Sequence, residues 1–493
     1  MGNEKDSVIN INKKTLIGIG ALLFAIMIFA GVLTQVIPTG AYATDDSGNI
    51  ISGTYTEIPR EEVNYKLWRI FLSPVEMFIN STGEAMTGVI IILVIIVIGG
   101  TFLVLDKSGV LKYIMTTIVN KFSDKKYLLL AIMIFSCMLL SSFAGILEES
   151  MTLVPLAVAI SLSLGWDSFV GLGFSLISVT FGYAAATFNP FNVGIIHSMA
   201  GLPMFSGVLF RIFVFAVIYA VLATFFITYA KKIEKNPEKS PCYKTDIALR
   251  SRLLDSDEIE KALQNKMLPK ATKAFTGSLL AVLIITIICL VTNIFVDDGT
   301  VSDIIGYLPL ASMAVLFTAG GLRAGKIAGF TKKELGGVFV TGAKSILPCA
   351  PIIMIIICVT YILKSGMIID TLLYWVYNYI SSLNPYVALT IIFIVICIFE
   401  FFIGSGSAKA FLLMPILLPL VDMIGIGRQN LIVSFCLSDG LCNVLYPTNG
   451  LLMIALSIIN ISYFKYLKCA WRLFLAVLIA SVGLTFIGYA IGY

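Results

Sequence analysis

Glu148 and Glu149 stand side by side between two apolar runs, residues 127–143 and 151–164. A helix needs about 20 apolar residues to cross a bilayer, and neither run reaches that length. Charge at membrane depth is costly and normally marks a substrate or ion path, while irregular backbone is tolerated there only inside protein or beside a wet cavity. The sequence therefore predicts a re-entrant hairpin whose tip, Gly145-Ile146-Leu147-Glu148-Glu149-Ser150, carries a site.

A near copy lies further on, where Ile403-Gly404-Ser405-Gly406-Ser407-Ala408-Lys409-Ala410 separates residues 386–402 from 411–424. Pro415 answers Pro155, Cys397 answers Cys137 and Gly425 answers Gly165, each 260 residues on. Lys364-Ser365-Gly366 repeats Lys107-Ser108-Gly109, and Pro447 repeats Pro190, both at 257. Apolar text matches itself by chance, but five matches in one order mark an internal repeat with small indels.

Hydrophobic residues fill 58% of the 493 positions and charged ones 13%, which fixes the class as an all-α polytopic membrane protein. The net charge of +5 is carried by basic residues in the loops, so they read as topology signals and not as a nucleic-acid surface. The nine Cys include no C-x-x-C and fall mostly within apolar runs, as small buried side chains do. Lys13, Lys14 and Ala41-Tyr42-Ala43 imitate a secretory signal, but the run 15–38 exceeds the about 7–15 residues of such a core and reads as a first span.

Basic loops assigned to the cytoplasm order the rest. The first repeat takes residues 1–230, with spans at 15–38, 83–105 and 207–230, hairpin 1 at 127–164, and a helix at 168–200 broken by Asn189-Pro190-Phe191-Asn192-Val193-Gly194. Pro190 removes a helical donor, and two Asn and a Gly beside it favour an unwound break. A basic cytoplasmic linker without hydrophobic period covers 231–273, and a connecting span covers 274–302. The second repeat, 303–493, holds spans at 305–322, 346–363 and 470–491, an interfacial stretch at 367–383, hairpin 2 at 386–424 and a helix at 430–457 broken at Tyr446-Pro447-Thr448-Asn449-Gly450. The fold expected is about nine spanning helices, two re-entrant hairpins and two broken helices. The first Lys-Ser-Gly falls inside and the second outside, so the halves are inverted, an architecture of transporters whose broken helices meet near the midplane. The expected location is a bacterial cytoplasmic (inner) membrane, with the N-terminus in the cytoplasm and the C-terminus outside.

Half-helices that end in mid-membrane present amides to anions and carbonyls to cations. Around those ends the topology gathers Glu148, Glu149, Ser150, Asn189 and Asn192 from one half, and Ser405, Ser407, Lys409, Thr448 and Asn449 from the other. The repeat sets Glu149 opposite Lys409, 260 residues on. Carboxylates on one lip and an ammonium on the other suit a ligand of both signs, and two carboxylates against one lysine favour a cationic amino acid. Two plainer readings stand beside this: Glu149 and Lys409 as an ion pair that only joins the tips, and Glu148 as a proton carrier. Asp439 and Asn443 line the cavity or pack helices. The Gly-Ser-Gly-Ser-Ala-Lys run lacks the ending and the strand of a phosphate loop, and His197, the single His, stands in an apolar setting. One His and scattered Cys supply no hydrolytic centre, so an enzyme is disfavoured. A channel would need a continuous wet pore, against which two closing hairpins argue.

Glu148-Glu149-Ser150 with Pro155, Asn189-Pro190-Phe191, Gly404 to Ala410 with Met414-Pro415, and Ser438-Asp439-Gly440 with Asn443 and Pro447-Thr448-Asn449-Gly450 together resemble the C4-dicarboxylate anaerobic carrier (DcuC) family. The likeness is closest to its YfcC-like branch, within the ion transporter superfamily, and covers nearly the whole chain. It implies secondary transport by a homodimer whose mobile domain moves against a scaffold in an elevator-like step. Branches of the family resemble arginine/ornithine antiporters as well as dicarboxylate carriers. The Ser-Asn-Thr tips of the superfamily's sodium-dicarboxylate members are missing from both hairpins. The reading is a basic amino acid transporter, such as an arginine/ornithine antiporter, with the lipid bilayer as its setting and no cofactor. The alternative is a C4-dicarboxylate carrier coupled to Na+ or H+.

Overall fold

The computed structural model describes residues 13–493 except 45–50, 52, 64, 81–82, 146, 148–149, 152, 186, 188, 204–205, 254–263, 295–298 and 381–382. The first half runs α1 (Lys13–Val36), strands β1 (Gly40–Ala41) and β2 (Thr56–Glu57), α2 (Arg60–Val63), α3 (Arg69–Ile79), α4 (Gly83–Lys107), α5 (Val110–Phe122), α6 (Lys126–Ala144) and α7 (Val154–Ser163). It continues with α8 (Ser168–Ala185), a π turn at Pro190–Gly194, α9 (Ile195–Met199) and α10 (Val208–Lys235). After α11 (Tyr243–Leu253) come α12 (Leu268–Ile294), α13 (Gly299–Ile327), α14 (Lys332–Ile346), α15 (Ala350–Ser365) and α16 (Ile369–Ile380). The chain closes with α17 (Pro385–Phe402), α18 (Gly406–Met423), α19 (Arg428–Asn443), α20 (Gly450–Ile458) and α21 (Tyr463–Ala490). Among the described residues 8 helices are long and apolar enough to cross a membrane, or 10 if each of two bent pairs counts as one span.

The helices sort into two assemblies. In one, α4 packs on α13, α14 and α15, with α12 against α13 and α1 against α15. In the other, α8 lies between α6 and α19, and α10, α17 and α21 close around them. The outgoing arms of the hairpins join the two: α7 touches α5, and α18 touches α16, the same contact made once in each half. On α6 the residues Leu128, Ile132, Phe135 and Leu139 remain exposed at helical spacing, an apolar stripe that faces lipid.

Helix ends make the repeat visible. α7 stops at Gly165, φ 88°, where Trp166 N donates to Ser161 O at 3.0 Å; α18 stops at Gly425, φ 73°, where Ile426 N donates to Val421 O at 2.8 Å. Both are left-handed C-terminal caps, and glycine carries no Cβ penalty there. The same cap ends both broken helices, at Gly201 (φ 63°) with Leu202 N on His197 O and at Asn460 (φ 56°) with Ile461 N on Leu456 O, both 3.0 Å.

Three features differ from the sequence reading. Of the four hairpin arms, only α7, with 10 residues, is plainly too short to span; residues Lys126–Phe143, Pro385–Phe402 and Gly406–Met423 have 18 each. Residues read as a loop after α13 form α14, which Thr331 opens with a capping box, its hydroxyl accepting from Glu334 N at 3.3 Å while Glu334 Oε2 accepts from Thr331 N at 2.8 Å. The described part of the linker before residue 254 docks on the bundle, with Asp246 Oδ2 accepting from Ser168 N, the first amide of α8, at 2.9 Å. Beside it, Asp167 accepts from Tyr229 at 2.8 Å and from Ser240 at 2.6 Å.

Candidate functional site

The site is set by how closely α8 approaches its neighbours. A Cβ at Gly440 would stand 2.0 Å from Ala184 Cβ, and one at Gly182 would stand 2.2 Å from Met138 O, so α19 and α6 press directly on α8 through glycine faces. Every residue of α8 is buried. This brings the middle of α19 under the tip of hairpin 2.

That tip is Ile403-Gly404-Ser405. Ser405 caps α18, its Oγ accepting from Ala408 N at 3.4 Å, and the hydroxyls of Ser405 and Ser407 lie 3.5 Å apart. Of the first amides of α18, which have no intrahelical partner, that of Ala408 is taken by Ser405, and those of Gly406 and Ser407 remain available to an anion. Lys409 follows in the first turn and points inward, wholly buried. A lysine there is opposed by desolvation and by the positive end of the helix dipole. Two carboxylates answer it. Asp439 Oδ1 accepts from Lys409 Nζ at 2.6 Å, and Glu400, near the end of α17, pairs with the same ammonium. Asp439 is 0% exposed and Glu400 2%. Phe435, one turn before Asp439, lies beneath the ammonium at 5.5 Å.

A relay of amides continues from the triad. Asn443 Nδ2 donates to Asp439 Oδ2 at 3.2 Å, and Asn449 Nδ2 donates to Asn443 Oδ1 at 2.5 Å. Asn449 also caps α20, accepting from Leu452 N at 2.9 Å. Pro447 and Thr448 sit buried between α19 and α20. The second break is thus hydrogen-bonded to the lysine through two side chains.

From the first half, Pro190 opens the π turn, which packs against α18 and α19. Asn189 and Asn192 are wholly buried, and neither Oδ1 nor Nδ2 of Asn192 finds a protein partner. Ser150 is buried and donates to Leu147 O at 2.6 Å. Glu148 and Glu149 lie outside the described residues; among the described residues the carboxylates that face Lys409 are Glu400 and Asp439. Sequence reasoning passed over Glu400 because it ends an apolar run, although a carboxylate inside a span is itself a signal. It also passed over Tyr183, whose hydroxyl lies 3.7 Å from where a Cβ of Gly406 would stand, with Asp439 Oδ1 at 3.6 Å. His197 has a structural setting, its ring nitrogens at 2.8 Å from Val193 O and 3.3 Å from Ser206 O.

The arrangement is a buried cluster of one cation and two carboxylates under a polar tip, with an excess of one negative charge when all three are ionised. It has the donors for a carboxylate and the charge for a cation.

The family profile of the C4-dicarboxylate anaerobic carriers matches residues 18–490. The putative basic amino acid antiporter YfcC of Escherichia coli (strain K12) is 24% identical over 420 residues, 82% of this chain and 79% of that protein. An uncharacterized protein of Haemophilus influenzae is 26% identical over 492 residues, 91% of this chain and 92% of its own. Among solved structures, Neisseria gonorrhoeae MtrF, described within a class of antimetabolite efflux pumps, aligns over 96% of this chain and 95% of its own with 15% identity and a TM-score of 0.48.

Proposed function

The chain belongs to the C4-dicarboxylate anaerobic carrier family, a family of membrane transporters, and on that premise we propose that it exchanges basic amino acids such as arginine and ornithine. The observation that carries this reading is the buried triad: Lys409 leaves one carboxylate of Glu400 and Asp439 without a full counter-charge. A buried ion pair is stable only when its charges are matched, so the cluster favours a ligand that brings a cation. The amides and hydroxyls at the start of α18 suit that ligand's carboxylate. Asn192, buried with an unpartnered amide, supplies a further donor and acceptor from the other half. The name of the Escherichia coli relative points the same way.

In this reading the bundle around α8 moves against the α4–α12–α13 assembly in an elevator-like step. The protein acts as a homodimer in a bacterial cytoplasmic membrane with its N-terminus inside. A small apolar crevice, lined by Phe102, Leu105, Leu153, Leu156, Phe275 and Phe317 among others, lies where α7 meets α4, α12 and α13. A contact of that kind can slide without breaking polar bonds.

The second reading, a C4-dicarboxylate carrier coupled to Na+ or H+, is favoured by the family's description and by Lys409, which a dicarboxylate could draw from its carboxylates. Counterflow in proteoliposomes separates the two. Loaded ornithine should drive uptake of labelled arginine and not of succinate, whereas succinate driven by internal succinate, with arginine inert, would establish the second.

A further inference from the structure

Arg211, the fourth residue of α10, is 1% exposed, deep beside the starts of two helices. Its Nη1 is fully engaged, donating to Ser206 O at 3.0 Å, Gln429 Oε1 at 3.1 Å and Tyr493 Oη at 3.2 Å. All three acceptors are neutral. Its Nε and Nη2 are buried with no partner. These two atoms share one edge of the guanidinium plane, the fork that grips anions with two parallel bonds.

The surroundings add positive potential. α10 begins at Gly207 and α19 at Gly427, and neither start is capped by a side chain. Gln429, which holds Arg211, belongs to the first turn of α19. Two positive helix ends therefore meet at one buried guanidinium. No carboxylate pairs with Arg211 among the described residues. Asp422, which ends α18 nearby in the chain, is committed to Arg428 by contacts of 2.9, 3.1 and 2.5 Å. A buried guanidinium cannot relieve this by losing its proton, so it needs a counter-charge.

We infer that the Nε–Nη2 edge of Arg211 binds a small inorganic anion of halide size, held between the starts of α10 and α19. Gly207 and Gly427, at the two helix starts, are exposed. Its role is to tie the segment after the first broken helix to the segment after hairpin 2. Gln429 Nε2 on Ser206 Oγ (2.6 Å) and Arg428 Nη1 on Ala200 O (2.5 Å) already bridge these segments. The inference is independent of what the protein carries.

Thermal unfolding of the purified protein in sodium chloride and in sodium gluconate, at equal ionic strength, tests it. Chloride should raise Tm along a saturating curve, because a ligand of the folded state alone stabilises by mass action. Arg211→Gln should lose that dependence. Identical melting of the wild-type protein in the two salts, or a chloride shift undiminished in Arg211→Gln, overturns the inference. If Arg211→Gln does not fold, wild-type crystals soaked in bromide decide: an anomalous peak against Nε and Nη2 supports the site, and none there refutes it.

Discussion

Lys409 donates to Asp439 across 2.6 Å with both side chains wholly buried, and Glu400 takes the other side of the same ammonium. Removing one member of such a cluster strands the others. Asp439→Ala should lower stability by about 3–5 kcal/mol, read as a fall in Tm of the solubilised protein. Lys409→Met should destabilise similarly, and combining it with Glu400→Gln and Asp439→Asn should recover much of the loss. A triple variant as unstable as Lys409→Met would show that packing, and not stranded charge, sets the cost.

Gly440 and Gly404 make opposite predictions from the same chemistry. A methyl at Gly440 would overlap Ala184 Cβ at 2.0 Å, with Ala184 Cα at 3.1 Å and Thr180 O at 3.4 Å. Those neighbours belong to a buried helix and cannot swing away, so Gly440→Ala should cost about 1–3 kcal/mol. Gly404 has nothing within 4 Å of the added methyl, and Gly404→Ala should leave Tm unchanged. Melting curves of the two variants make the comparison.

Asn192 and Asn449, equivalent in the repeat, should separate binding from folding. Asn449 caps α20 and holds Asn443, so Asn449→Ala should lower stability by about 0.5–2 kcal/mol. Asn192 has no side-chain bond to lose, so Asn192→Ala should keep Tm and raise the KM for exchange. A variant that melted early yet transported normally would place Asn192 in the packing instead.

The docked linker should respond to pH. Burial, and then the carboxylate of Asp167, push Asp246 up from 3.8 to about 7, against hydrogen bonds from Ser168 and the charge of Arg250. A group whose pKa is raised by docking favours the docked form below its free pKa and loses that contribution as pH rises through the raised value. The hold on α8 should therefore be full in acid and weaken between about pH 4 and 7. Hydrogen exchange across residues 237–253 should quicken as pH rises, beyond the intrinsic rate increase, and Asp246→Asn should remove that excess. Protection independent of pH in the wild-type protein would assign the carboxylate a fixed charge.

Much of the fold was legible because the repeat is written in residues with fixed backbone demands. Gly165 and Gly425 must end helices at positive φ, and Pro190 and Pro447 must interrupt them. Such residues keep their meaning in apolar text. Lys409 and Asp439 were singled out in the sequence, Asp439 as a group that lines the cavity or packs helices, but their pairing and the part of Glu400 were not read. Glu400 lies 9 residues before Lys409 (409 − 400) inside a run that reads as uniformly apolar. The capping box at Thr331 was present in the sequence, and the lysines around it disguised a helix as a loop. The docking of Asp246 had no sequence signal, because its partner Ser168 is 78 positions away.

Arginine and citrulline share length and shape and differ in the charge of the end group, so their binding to the purified protein tests the excess carboxylate directly. Calorimetric titration should give arginine at least about tenfold tighter binding, 1.4 kcal/mol, and Glu400→Gln should erase most of the difference. Citrulline binding as tightly as arginine, or succinate binding more tightly than both, would contradict a site built around Glu400, Lys409 and Asp439 to receive a cation.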